Sequence, residues 1–304
     1  MTLARLAARS LLGIALFAVL AGVRPLAAQR SRECPSCAEW NEPQRPFRLH
    51  ADTYYVGTHG LSAILITSSA GHVLIDGGLP ESAPVIRANI EALGFHVRDV
   101  KLILNSHAHF DHAGGIAELQ RASGATVMAS AASAPVLSSG RSGPDDPQYG
   151  VLLEYPAASG VKVFAFEDTL RVGTIAVVPH HTGGHTPGGT SWSWRSCAAD
   201  GCLDVVYADS RTPVSADGFL FTRSATYPNA LDDFARGQAL LGGLKCDVLL
   251  TPHPSASNLW QRVSPSDGTP TAALADPGAC KRFAESAGKQ LEKRVADEKA
   301  KRAN

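Results

Sequence analysis

The stretch Asn105-Ser106-His107-Ala108-His109-Phe110-Asp111-His112-Ala113-Gly114-Gly115 packs three imidazoles and one carboxylate into six consecutive residues. It follows directly on Val100 to Leu104, an apolar run of strand length. Only 11 of the 304 residues are histidine, so the cluster is a local concentration of one chemistry and not background. Neutral imidazole nitrogen and carboxylate oxygen are donors that Zn2+ prefers. His-x-His-x-Asp-His therefore reads as a set of metal ligands delivered by the end of a strand. Isolated histidines more often serve as packed or surface residues.

Working outward, the periodicity alternates between strand and helix. Tyr54–Val56, Ser62–Thr67 and His72–Asp76 read as a strand meander rich in Ile, Leu, Val and Tyr. Pro80–Leu93 reads as a helix stopped by Gly94, and Gly115–Ala122 as a helix leading to a strand at Ala125–Ala129. Residues 138–160, rich in Ser, Gly, Pro and Asp, form the longest loop expected, and long loops on compact domains often bind ligands. Strands resume at Val161–Phe166, Leu170–Val172, Thr174–Val178, Thr190–Trp194, Val205–Ala208 and Val248–Leu250, with a helix at Asn229–Leu241. A final helix is expected from Pro277, capped by Asp276, with Ala279, Phe283, Ala287, Leu291 and Val295 on one face and a frayed tail beyond about 296. Strands followed by helices, twice over, suggest two packed sheets with helices outside.

The first 28 residues have the composition of a secretory signal: Arg5 and Arg9, an apolar run from Leu11 to Val23, and small residues at Ala27-Ala28. The apolar run is too short for a membrane span, so no stable anchor is expected once it is removed. The remaining domain, 29–304, carries 25 basic against 28 acidic side chains, a net charge of −3. That gives no reason to expect a nucleic-acid partner. Six cysteines suit an oxidising compartment. Fifteen pairings are formally possible. A Cys197–Cys202 bridge would staple a hairpin tip for about 2 kcal/mol, and Cys246–Cys280 would close a longer loop for roughly 3.5 kcal/mol. Cys34-Pro-Ser-Cys37 lacks the strand-then-helix context of a redox motif and reads as a structural bridge.

Two more histidines stand in turns just past strands: His185 in Gly183-Gly184-His185-Thr186-Pro187-Gly188-Gly189, and His253 in Leu250-Thr251-Pro252-His253-Pro254. Gly and Pro in such turns restrict the backbone and hold the imidazole in place. The set His107, His109, Asp111, His112, His185 and His253 resembles the ligand pattern of the metallo-β-lactamase superfamily. Thr186-Pro187-Gly188-Gly189-Thr190-Ser191-Trp192, Tyr207-Ala208-Asp209-Ser210 and Thr251-Pro252-His253-Pro254-Ser255 resemble its class B, subclass 3 (B3) enzymes. The similarity spans about residues 34–295, and the cysteine pairs 197/202 and 246/280 are similar to that group as well.

The resemblance implies an α/β fold, the metallo-β-lactamase αβ/βα sandwich of two mixed β-sheets with helices on the outer faces. It implies two Zn2+ per chain, the first held by His107, His109 and His185 and the second by Asp111, His112 and His253. It further implies hydrolysis of a β-lactam ring by a metal-bound hydroxide that Asp111 orients, with no covalent enzyme intermediate. Ser210 and Thr212 are the candidates for gripping the substrate carboxylate, and Gln148 for reaching over the groove. His180 and His181 read as supporting or packing residues, and Asp76 as a carboxylate supporting the cluster. The role of His59 is open. A small-molecule β-lactam, a monomer and a periplasmic location complete the expectation.

The same scaffold hosts lactonases, thioesterases, phosphodiesterases and nucleases, so fold alone does not select the substrate. A carboxylate at Asp209 bridging two metals would favour a lactonase or thioesterase. A non-enzymatic periplasmic zinc-binding protein is the third reading, and loss of a ligand would mark it. All six ligand positions are filled here.

Overall fold

The computed structural model describes residues 34–199, 201–263 and 274–303; the expected leader, residues 1–28, lies outside them. After a single turn α1 (Cys37–Trp40), seven strands form one sheet in chain order. They are β1 (Phe47–His50), β2 (Thr53–Tyr55), β3 (Ile64–Ile66), β4 (His72–Ile75), β5 (Val100–Leu104), β6 (Thr126–Ala129) and β7 (Lys162–Val163). The strands β1 to β4 are an antiparallel meander, and β4 to β7 run parallel. Parallel neighbours need crossovers. These contain α2 (Ser82–Ala92), α3 (Phe110–Ala113) with α4 (Ile116–Ser123), and α5 (Ser133–Ser139).

The second sheet is β8 (Leu170–Val172), β9 (Ile175–His181), β10 (Thr190–Ala198), β11 (Gly201–Tyr207) and β12 (Val248–Leu250). Only β11 and β12 are parallel, joined across α6 (Ala230–Gly243). The helices α7 (Leu259–Arg262) and α8 (Ala279–Ala303) follow.

Alternation along each strand builds three layers of core, one between the sheets and one outside each. Ile64, Ile66, Val73, Ile75, Leu102 and Leu104 of the first sheet share one cluster with Trp192, Trp194, Val205, Tyr207, Val248 and Leu250 of the second. Leu65, Leu74 and Ile103 take the opposite face and pack with Ile86, Ile90, Ile116 and Leu119 of α2 and α4. Val206 and Leu249 do the same against Leu241 and Ala284 of α6 and α8. Burial on both faces explains why these strands read as continuous apolar runs. Each large side chain so buried stabilises by about 1.5–3 kcal/mol. The architecture is the expected αβ/βα sandwich.

Several boundaries differ from the sequence reading. The strand expected at Val161–Phe166 shrinks to Lys162–Val163, added beside β6 at the rim of the first sheet. The first residues of the expected loop belong to α5, which ends at left-handed Gly140. The last helix starts at Ala279, because Asp276 first closes a turn, accepting from Gly278 N–H at its side chain and Ala279 N–H at its carbonyl. The tail beyond 296 is no frayed end: α8 continues to Ala303 and buries Glu298 against the protein. Bridges join Cys34 to Cys37, Cys197 to Cys202 and Cys246 to Cys280. Among the described residues no helix is long and apolar enough to cross a membrane.

Candidate metal centre

The ends of β5, β9 and β12 open onto one rim, and each hands residues of the histidine set to it; β11 leads to Asp209 beside them. The loop after β5 is fixed first. Asp76, at the end of β4, accepts from Ser106 N–H (2.7 Å), Asn105 Nδ2 (3.0 Å), Ser106 Oγ (2.7 Å) and Tyr207 OH (2.8 Å). It thus supports the cluster through the backbone that carries it, with no hydrogen bond to a histidine. From the second sheet, Thr190 N–H donates to Ser106 O at 2.7 Å and Trp192 Nε1 to Asn105 O at 3.2 Å. The turn α3 then lifts Asp111 and His112 onto the same side as His107 and His109. Gly115 lets the chain leave, since a Cβ there would stand 2.3 Å from Gly77 O.

Three imidazoles converge. The ring centroids of His107 and His109 are 4.6 Å apart, and His185 lies 4.8 Å from His107 and 5.0 Å from His109. One potential ligand atom from each falls within 4.8 Å of the others, and the same holds for His107, Asp111 and His112. His253 joins this second group through Asp111, whose Oδ2 stands 3.3 Å from His253 Nε2 and 3.2 Å from His112 Nε2. All but His253 are buried.

Each of the three converging rings has its far nitrogen occupied by the protein. His107 Nδ1 meets Asp209 Oδ1 at 2.8 Å, His109 Nε2 meets Asp146 Oδ2 at 2.9 Å, and His185 Nδ1 donates to Thr212 O at 2.8 Å. Such partners set the tautomer and aim the other nitrogen inward. His112 goes further: it is buried, its Nε2 meets Asp111 Oδ2 at 3.2 Å, and its Nδ1 has no hydrogen-bond partner among the described residues. An unsatisfied buried ring nitrogen is costly, and an imidazole beside a carboxylate is a ready pair of donors for a cation. The donor set, three nitrogens beside two nitrogens and a carboxylate, fits a pair of zinc ions.

The electrostatics agree. Burial first, then the positive field of His109, lowers His185 to about 3, so its ring is neutral and able to ligate at working pH. Burial likewise holds His107 well below its ordinary range. Burial alone would raise Asp111 and lower His112, but their mutual attraction reverses both shifts. The result is an ionised carboxylate in the centre of the histidines.

Asp209 does not face the convergence point. It is fully buried behind His107, its N–H donating to Ser191 Oγ at 2.9 Å, and Gly189 has no side chain because a Cβ would meet Asp209 Oδ2 at 2.4 Å. A carboxylate in this position is placed to orient His107.

Ser210 and Thr212 line a cavity of about 610 Å3 that reaches the metal centre only at His253; most of its remaining wall is the 255–258 turn and α8, with Trp40 and Thr251 beside them. Gln148 is outside that wall, on a loop pinned by its own N–H to Asp146 Oδ1 at 2.8 Å. His59 is exposed and stacked on Trp260 at 4.8 Å. His180 bonds Ser193 Oγ at 2.7 Å and His181 bonds Pro187 O at 3.2 Å, which makes both packing residues of the second sheet.

Sequence reasoning missed three contributors. Asp146 holds His109, and its place beside Gln148 in an Asp-Pro turn was the available signal. Trp40 packs 5.1 Å from His253, across the whole chain. Arg211, between the two candidate hydroxyl residues, is buried and donates to Gly183 O at 2.7 Å, to Phe234 O at 2.7 Å and to Thr182 O. It ties the loop of Ser210 and Thr212 to the turn of His185.

A profile of the metallo-beta-lactamase superfamily matches residues 56–199. Among solved structures, the Rm3 metallo-beta-lactamase superposes with a TM-score of 0.85 at 53% identity, over 88% of this chain and 99% of that one. MEM-A1, a subclass B3 metallo-beta-lactamase isolated from a soil metagenome library, gives 0.83 at 48% identity, over 86% and 99%. BJP-1, a subclass B3 metallo-beta-lactamase of Bradyrhizobium japonicum, gives 0.77 at 33% identity, over 87% and 98%.

Proposed function

The chain belongs to the metallo-β-lactamase superfamily, and we propose from the site it carries that it opens β-lactam rings with the help of two zinc ions. The observation that carries the reading is the pair of adjoining ligand groups, with the outer nitrogens of His107, His109 and His185 fixed by Asp209, Asp146 and Thr212 O. His107, His109 and His185 would hold the first ion, and Asp111, His112 and His253 the second. When bound, the ions would supply Lewis acidity and lower the pKa of water to roughly 7.

The chain's own residues do the rest. Asp111 has its carboxylate ionised beside His112 and His253, where it would accept a hydrogen bond from the attacking water and aim it. The hydroxyls of Ser210 and Thr212, on the cavity wall beside His253, donate to the carboxylate next to the lactam nitrogen. Gln148 reaches over the groove from a loop whose position is shared with His109 through Asp146. Holding the substrate in this way turns attack on the carbonyl into a positioned, near-unimolecular event.

The engagement of Asp209 with His107 weighs against a lactonase or thioesterase that needs a bridging carboxylate. Three disulfides support passage through an oxidising compartment, and residues 1–28 would be the export signal, with the mature protein monomeric in the periplasm. The test is hydrolysis of a carbapenem and of a homoserine lactone by purified protein, with and without a chelator. Chelator-sensitive opening of the carbapenem is expected. Efficient lactone opening with every β-lactam left intact refutes the assignment.

A further inference from the structure

Glu298 is only 3% exposed, on the last turns of the last helix. An acidic side chain is almost never so buried unless it is paired. Its Oε1 accepts from Phe221 N–H at 3.1 Å and its Oε2 from Thr222 N–H at 2.9 Å. One turn earlier on α8, Arg294 Nε donates to Glu298 Oε1 at 2.7 Å. Arg294 Nη2 donates to Ser215 Oγ at 2.8 Å and Phe219 O at 3.1 Å, and Nη1 to Pro213 O at 3.3 Å. The guanidinium also lies 5.1 Å over the Phe221 ring.

All these partners fall in 213–222, a stretch with no helix or strand to satisfy its backbone. That stretch continues directly from Thr212, whose carbonyl fixes His185. Farther on, Ala216 N–H donates to Pro147 O at 2.9 Å, between Asp146, which fixes His109, and Gln148. One side of the segment is thus fastened to α8 and the other to both walls of the metal centre. Ordering ten irregular residues costs backbone entropy, and the Arg294–Glu298 pair supplies charged, largely buried partners that help to offset it.

We propose that Arg294 and Glu298 are positioning residues: a latch on the C-terminal helix that holds segment 213–222 so that Thr212 and the 146–148 loop present their groups to a β-lactam, which rests on the function proposed above. The pair touches neither substrate nor ligands. It acts on binding through the segment, so the reacting groups keep their own chemistry once substrate is seated.

The experiment compares zinc-loaded parent, Glu298→Ala, Arg294→Met and, as control, Lys293→Ala, which breaks only the exposed Lys293–Asp297 pair on the same turns. Amide hydrogen exchange is read across 213–222, and KM and kcat are read with a carbapenem. The latch requires the amides of Phe221 and Thr222 to exchange about tenfold faster or more in the two latch variants. It requires KM to rise by about fivefold or more with kcat within about twofold, and Lys293→Ala to change neither. Adding Thr212→Ala should raise KM less in the Glu298→Ala background than in the parent, since the two act through one path. If Glu298→Ala fails to fold, Glu298→Gln, which keeps the packing and one acceptor, carries the same comparison. Unchanged exchange in 213–222, or faster exchange with KM unmoved, overturns the proposal and leaves the pair as a helix stabiliser. A parent with no β-lactam turnover refutes the proposed function and, with it, the positioning role; the exchange data then report only an anchored segment.

Discussion

Replacing Asp209 with alanine should weaken the first zinc by about 10- to 100-fold while leaving the fold intact. The magnitude has two independent sources. Asp209 is fully buried and accepts from His107 Nδ1 at 2.8 Å; among the described residues the only other hydrogen-bond partner of that nitrogen is Ser106 Oγ, at 3.5 Å. Removing a charged, buried acceptor costs about 1.5–3 kcal/mol. The affinity loss, at about 1.4 kcal/mol per factor of ten, corresponds to roughly 1.4–2.8 kcal/mol, so the two agree. Asp209→Asn should lose less, since it keeps one oxygen for Nδ1, although its amide must occupy the place of Oδ2 near Gly189. Burial pushes the Asp209 carboxyl well above its usual range and His107 well below, so the metal-free pair retains a proton, and the charged acceptor counted above is the state formed when zinc takes the inner nitrogen and that proton leaves. Uptake should therefore release a proton, and affinity should rise with pH. The assay is titration of the metal-free protein with zinc against a chromophoric chelator, at several pH values, with the melting temperature recorded alongside. A folded alanine variant whose first zinc binds within about twofold of the parent would refute the orienting role. Loss of both metals together would instead revive a bridging carboxylate and the lactonase reading.

Elemental analysis of protein purified in zinc should find close to two ions per chain, with His253→Ala depleting mainly the second; near-zero zinc in the parent would remove the site assignment. Asp111→Asn should lower turnover by on the order of a hundredfold or more, the loss of a contact of about 3 kcal/mol, and near-normal turnover with both metals bound would take Asp111 out of the mechanism. Truncating Ser210 and Thr212 together to alanine should raise KM for β-lactams more than it lowers kcat, because the carboxylate is held in ground and transition states alike; a carboxylate-free lactone should be indifferent. For Glu298, burial raises the carboxyl, but the Thr222 and Phe221 N–H groups and Arg294 outweigh it and bring it below its ordinary 4.5. Its contribution should be complete above about pH 4.5 and fade as pH falls through the lowered folded value, so exchange protection of 221–222 that is flat through acid would contradict it.

What the sequence determined by itself is the chemistry and the layers. The run His107 to His112 is local, so its ligand character is legible from spacing, and the glycine- and proline-bounded His185 and His253 announce themselves by their turns. The apolar strands gave the two sheets because alternation and β-branched content are properties of short segments. Short and marginal elements were misjudged: Val161–Phe166 looked like a full strand, yet only two residues pair with β6, since pairing depends on a neighbour that periodicity does not see. What only the tertiary structure decided is which distant group stands behind each ligand. Asp209 behind His107, Asp146 behind His109 and the Thr212 carbonyl behind His185 are separated from their partners by 27 to 102 positions. The last helix repeats the lesson. Its charged end reads as a solvated tail because Arg294 and Glu298 resemble any i,i+4 surface pair, and only packing against 213–222 removes Glu298 from water. Burial is a property of the whole chain, so the partner that makes a buried charge affordable is set by the fold and not by the residues beside it.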